Sequence, residues 1–262
     1  MKHLARSCYI LPMLLCATGA VQAEDNSVDT LTEMATKGKA NLDFRYRYEN
    51  VDQDSKNRTA SANTLRSRLT LSSASWNGVS ALAEVDNVWD FGSDNYNSTE
   101  NGNSQYPVIA DPTGTDLNQI WLKYTGESFD GTGGRQRINH GNQRFVGGVG
   151  WRQNEQTYDG VRGTWAPLEG LKLDGSYVYN INRIFGPDDG DNPADLEGDN
   201  FFVRADYALN ENHKLAAFGY FLDIDDDGPY GAGKTVNNST DTYGVEYHGK
   251  FNWLSVAAAY AT

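Results

Sequence analysis

The residues best placed to do chemistry are arginines. Arg45 and Arg47 stand two apart, and so do Arg66 and Arg68. On a β-strand that spacing puts both guanidiniums of a pair on one face. A guanidinium is a permanently charged planar fork that can hold a carboxylate or phosphate with two hydrogen bonds. Arg162 and Arg204, with Lys123 and Lys172, stand on the polar side of similar alternating runs. Asp223, Asp225, Asp227 and Gly228 fit the first, third, fifth and sixth positions of a calcium loop. Lys234 stands where its bidentate Glu belongs. Ca2+ is therefore kept as a candidate cofactor beside the plainer reading of an acidic surface loop, and no other cofactor is expected.

Catalytic signatures are sparse. His140, His213 and His248 lack partners at metal-ligand spacing, and the chain contains no phosphate-cradling loop, hydrolase elbow or zinc motif. Asp174 and Asp206 could form a carboxylate pair only at a separation that sequence does not give. No enzyme is expected. The net charge of −13 over 262 residues argues against non-specific nucleic-acid binding, which needs a basic footprint.

The elements that would carry these side chains are strands. In residues 41–49, Leu42, Phe44, Tyr46 and Tyr48 alternate with Asp43, Arg45, Arg47 and Glu49. In 64–71, Leu65, Leu69 and Leu71 oppose Thr64, Arg66, Arg68 and Thr70. Similar alternation runs through 79–86, 117–124, 171–182 and 201–207, with further candidates at 158–165, 214–222, 242–248 and 253–260. That makes ten or eleven strands. Long polar connections at 92–116, 186–200 and 223–241 alternate with tight turns at Trp76-Asn77-Gly78 and Pro167-Leu168-Glu169-Gly170.

Residues 1–23, MKHLARSCYILPMLLCATGAVQA, read as a cleaved export signal. Lys2 and Arg6 form its basic start, Tyr9 to Ala17 its short apolar core, and Val21-Gln22-Ala23 its cleavage site. Residues 24–38 are a short lead-in. Both cysteines, Cys8 and Cys16, lie in the signal, so the exported chain holds no thiol. Disulfides cannot stabilise it, and a large hydrogen-bonded sheet is the expected substitute.

Alternation fits two architectures. A soluble sandwich packs its apolar face inward and wets its polar face. A membrane barrel turns its apolar face to lipid and its polar face to a wet lumen. Three features favour the barrel. The polar faces carry paired long charges. Tyr46, Tyr48, Tyr124, Tyr177, Tyr179 and Trp165 stand at apolar positions where interfacial girdles form. The third is an export signal without exported cysteine. Inward bases outnumber inward acids, while the loops 186–199 and 223–228 hold much of the negative charge. A bore of that kind would favour anions unless its arginines pair with acids across strands as scaffold.

The stretch 134–159, GRQRINHGNQRFVGGVGWRQNEQTYD, is specific. Gly134-Arg135-Gln136-Arg137, Gln143-Arg144-Phe145 and the run from Gly150-Trp151-Arg152 to Tyr158-Asp159 resemble the alginate export family of bacterial outer-membrane β-barrels. The strands NLDFRYRYE and Leu65-Arg66-Ser67-Arg68-Leu69 are similar too. The resemblance implies a large monomeric barrel with a positively charged pore that passes an anionic polysaccharide or similar solute. It implies lumen positions for Arg135 and Arg137, and also for Arg144 and Arg152.

The expected fold is thus an all-β antiparallel transmembrane barrel over residues 39–262. Its last strand stops at Tyr260-Ala261-Thr262 with no terminal aromatic, so an incomplete barrel truncated at the C-terminus is expected, with a smaller complete barrel as the alternative. The expected function is a porin-like outer-membrane channel for anionic or polar solutes. Its expected partners are membrane lipid and lipopolysaccharide, the barrel assembly machinery, and anionic sugars or other small solutes, with no nucleic acid. The alternatives are an outer-membrane enzyme on lipid or polysaccharide and a secreted carbohydrate-binding sandwich.

Overall fold

The computed structural model describes residues 27–92, 94–225 and 238–262. The export signal and Asp227 lie outside these residues. The chain builds one sheet, mostly by pairing antiparallel strands that follow one another in sequence; the short β1 pairs β4 in parallel, and β3 pairs β5. Its strands are β1 (Ser27–Val28), β2 (Lys39–Val51), β3 (Ala60–Ser72), β4 (Ser75–Trp76), β5 (Val79–Asp90), β6 (Gly114–Thr125), β7 (Phe129–Gln136), β8 (Thr157–Leu168), β9 (Leu171–Asn182), β10 (Asp195–Asn210), β11 (His213–Leu222), β12 (Thr240–Phe251) and β13 (Leu254–Ala261). The one helix among the described residues, α1 (Leu31–Thr36), precedes β2. Among the described residues the sheet stays open, because β2 pairs only with β3 and β13 only with β12.

The long strands run up and down, and their connections are unequal. One end carries tight turns. At Asn77 (φ 48°) and Gly78 (φ 81°), two left-handed residues make the hairpin turn whose twist suits the flanking strands. A Cβ on Gly78 would come 2.5 Å from the Thr125 carbonyl oxygen, so glycine is needed there for space as well. The other end carries the long loops 91–113, 137–156 and 183–194, and the described residues 223–225 and 238–239 between β11 and β12. β6 begins at Gly114 and β12 at Thr240, inside the expected loops 92–116 and 223–241. β10 begins at Asp195, inside the expected loop 186–200. β7 was absent from the alternating runs because Gly131, Gly133 and Gly134 leave it no side-chain pattern.

The burial is the inverse of a soluble sandwich. The apolar stripe of β2 stands open, with Leu42 57% and Tyr46 52% exposed, whereas Arg66 and Arg68 on the facing side of β3 are 5% and 8% exposed. Among the described residues no second sheet covers the stripe. Apolar burial does occur on the concave side, where loops lie against strands. Ile138 and Val146 pack on Tyr158, Val178, Phe202, Phe218 and Tyr220, and Tyr96, Tyr106 and Ile109 pack on Ala60 and Ala62. Near the tight-turn end, α1 buries Met34 against Val28 and Ala74. Thr30 caps α1 by accepting from the Glu33 amide at 3.2 Å.

Candidate functional site

The site is the concave face and the loop 137–156 that crosses it. The loop's first half docks on the β8–β11 wall through its few apolar residues, Ile138, Phe145 and Val146. Phe145 lies 5.5 Å from Phe218 and 6.2 Å from Tyr220, ring to ring. Tyr158 donates to the Gly147 carbonyl at 2.9 Å. The second half is polar and docks on the opposite wall, on β2, β3 and β6. The Arg45 guanidinium donates to Gln153 Oε1 at 3.0 Å, to the Gly150 carbonyl at 2.9 Å and to the Arg152 carbonyl. Arg47 donates to the Trp151 carbonyl. Gln153, fully buried, donates through Nε2 to Thr64 Oγ1 at 2.8 Å.

Glu155 joins the loop to the arginines of β3. Arg68 donates to it at 2.9 Å, Arg66 lies 3.6 Å away, and Arg137 also bonds to it. Arg68 holds Asp86 with two bonds, 2.7 and 2.6 Å, the bidentate geometry that makes guanidinium–carboxylate pairs strong. Arg66 donates to Asp43 at 2.9 Å. Glu84 accepts from Arg137 at 2.5 Å, Thr70 at 2.7 Å, Asn118 at 2.8 Å and Gln119 at 3.0 Å. A bulge opposite Glu84 and Val85 lets Asn118 and its neighbour Gln119 both face inward.

Arg135, Arg162 and Arg204 follow the same rule. Arg135 holds Asp159 at 2.8 and 3.0 Å, Arg162 holds Asp174 at 3.0 Å, and Arg204 bridges Asp206 and Glu246 at 2.8 and 2.7 Å. Arg47 and Arg152 share Glu49 at 2.5 and 3.2 Å and Asp111 at 3.4 and 3.5 Å. Arg45 and Arg144 form no ion pair among the described residues. Arg144 lies on an exposed part of the loop, 5.7 Å from the Phe145 ring. Around the loop tip, Arg45, Arg47, Arg66, Arg68, Arg137 and Arg152 meet Asp43, Glu49, Glu84, Asp86, Asp111 and Glu155, one acid for each base.

Loop 91–113 also folds inward. Asp111 accepts from the Gln153 amide at 2.9 Å, and Asn154 donates to the Pro112 carbonyl at 3.1 Å. Its outer part meets loop 183–194, where the Asp191 amide donates to the Thr99 carbonyl at 2.6 Å. Burial, and then the nearby Asp188 carboxylate, push the Glu100 carboxyl up to about 7. The calcium candidates Asp223 and Asp225 pair through their backbones with Asp199 and Glu197. Asp227 lies outside the described residues.

Sequence reasoning missed Gln153, Glu155 and Asp111 as partners of the arginines. The signal was present in the run Trp151 to Gln156, which is polar, non-alternating and too rich in hydrogen-bonding groups for a surface turn.

The alginate export family model matches residues 38–258. No curated protein matches the chain. Among solved structures, Acinetobacter baumannii OccAB3 is similar at 15% identity and a TM-score of 0.60, over 86% of this chain and 58% of its own. A. baumannii OccAB1 is similar at 11% identity and 0.62, over 87% and 52%. Pseudomonas aeruginosa OccK8 (OprE) is similar at 14% identity and 0.52, over 87% and 68%. The chain thus spans little more than half the length of the first two.

Proposed function

The chain belongs to the alginate export family, a bacterial outer-membrane β-barrel family, and from that premise we propose that it forms a porin-like channel wall for passive passage of small polar solutes, anionic ones included. One observation carries the reading. The charged face is enclosed and crossed by loop 137–156, while the leucines and tyrosines of the other face stand open. In water that arrangement would expose a broad apolar surface at large cost. Against acyl chains the same surface needs no partner. Lipid and lipopolysaccharide are the proposed neighbours of that surface, and the barrel assembly machinery the proposed route to it.

The arginines refine the expectation of an anion-attracting pore. Matched in number by acids at the loop tip, they form a polar lattice with little net charge, and their fields cancel over a few ångströms. Selection in such a bore rests on size and hydrogen bonding more than on long-range attraction. Arg45 and Arg144, without ion pairs, supply the remaining positive character. We propose transport rather than catalysis because the charged groups of the bore are engaged in holding a constriction.

Planar-bilayer recording of the protein purified from outer membranes tests the proposal. Discrete conductance steps with weak charge selectivity are expected. A protein that produces no step, or one soluble without detergent, would overturn it.

A further inference from the structure

Trp151 is out of keeping with its surroundings. It sits at the tip of the inward loop, between the buried Gln153 and the glycine-rich stretch Gly147-Gly148-Val149-Gly150, yet 57% of its surface is open. The lipid-facing stripe is on the other side of the sheet, so lipid does not explain it. An open indole in a water-filled bore costs free energy unless something covers it. The Arg47 and Arg152 guanidiniums lie 4.7 and 4.0 Å from its ring. Both touch the same Glu49 oxygen, at 2.5 and 3.2 Å. Their charge is balanced there by Glu49 and Asp111. The result is an aromatic plate with a polar, nearly neutral rim.

We infer that Trp151 is a stacking platform for the pyranose ring of a neutral saccharide, with the Arg47–Glu49–Arg152–Asp111 rim bonding its hydroxyls. A π-face carries negative potential, and the face of a pyranose presents polarised C–H bonds to it. The rim supplies both donors and acceptors, as a hydroxyl-rich ligand requires and a simple anion does not. Phe145, 44% exposed beside Arg144 on the same loop, repeats the pairing of open ring and guanidinium and offers a second plate. The inference rests on the proposal that the concave face is a wet bore.

The test is isothermal titration of the detergent-solubilised protein with maltotriose, and with trigalacturonate as its charged counterpart. Maltotriose is expected to bind saturably, at least as well as trigalacturonate, with little change from low to high salt. Trp151→Leu should weaken binding by about tenfold or more, whereas Trp151→Phe, which keeps a ring, should lose only a few-fold. Heat-modifiable gel mobility reports whether each variant is folded. If Trp151→Leu does not fold, the Phe variant and the salt series decide. No saturable maltotriose binding, binding indifferent to Trp151, or binding of the uronate alone with steep salt dependence would each overturn the inference. Conductance steps without sugar binding would defeat the platform and leave the channel standing. Sugar binding without conductance would do the reverse.

Discussion

Arg45 and Arg66 stand directly opposite each other in the β2–β3 ladder, two cations at one register position. Like charges so placed destabilise a sheet. Their guanidiniums turn to different partners: Arg45 takes oxygens of the loop tip, and Arg66 takes Asp43 with Glu155 nearby. The inward fold of loop 137–156 thus relieves a repulsion built into the wall, and the wall in turn fixes the loop across the bore.

Replacing Arg45 should release the tip. Arg45→Ala removes three bonds from a charged donor to loop oxygens, and such bonds are worth about 1.5–3 kcal/mol each before losses elsewhere. The expected outcome is a larger, noisier conductance step and faster proteolysis between residues 147 and 156, with the strands intact. Unchanged conductance and protease resistance in the folded variant would show that Arg45 does not hold the loop.

Glu155 is the deeper anchor, since Arg68 and Arg137 both bond to it. Glu155→Ala leaves both cations short of an acid in a buried setting, which typically costs about 3–5 kcal/mol. Arg68 keeps its two bonds to Asp86, so the lower end of that range is expected. Urea unfolding in detergent micelles measures it. A loss below about 1 kcal/mol would mean the pair behaves as an exposed one.

Glu100 gives the outer loops a pH dependence. Its carboxyl ordinarily titrates near 4.5 and is raised to about 7. Between these values the folded protein keeps a proton that the unfolded chain has released, so stability falls as pH rises through that window. Contact between loops 91–113 and 183–194 should be strongest below pH 4.5 and weaken until about 7. Hydrogen exchange at the Asp191 amide, bonded to Thr99, reads this after correction for intrinsic rates. Glu100→Gln should abolish the dependence. A pH-dependent Gln variant would place the titration on another group.

The strands were legible because their period of two is almost free of error. Leu42 to Tyr48 against Asp43 to Glu49 needs no tertiary knowledge, and β2 forms there. β7 was illegible because its glycines carry no pattern. Which solvent meets which face was not written in the alternation, because a sandwich and a barrel share it. The loop partners were hidden for another reason. Arg45 bonds to Gly150, 105 residues away, and nothing local announces a contact at that separation. The resemblance in 134–159 falls on the loop that crosses the concave face, where Gln153 bonds to Thr64 and Glu155 to Arg68.

The central claim is that acyl chains meet the open stripe and water meets the arginines. Cys8 and Cys16 are the only native cysteines, both in the segment read as a cleaved signal, so single cysteines can be placed along β2 of the exported chain at residues 42 to 48 and spin-labelled in bilayers. Collision with oxygen should peak at 42, 44, 46 and 48, and collision with a water-soluble nickel chelate at 43, 45 and 47, with a strict period of two. Equal chelate access at every position, or the opposite phase, would contradict the account.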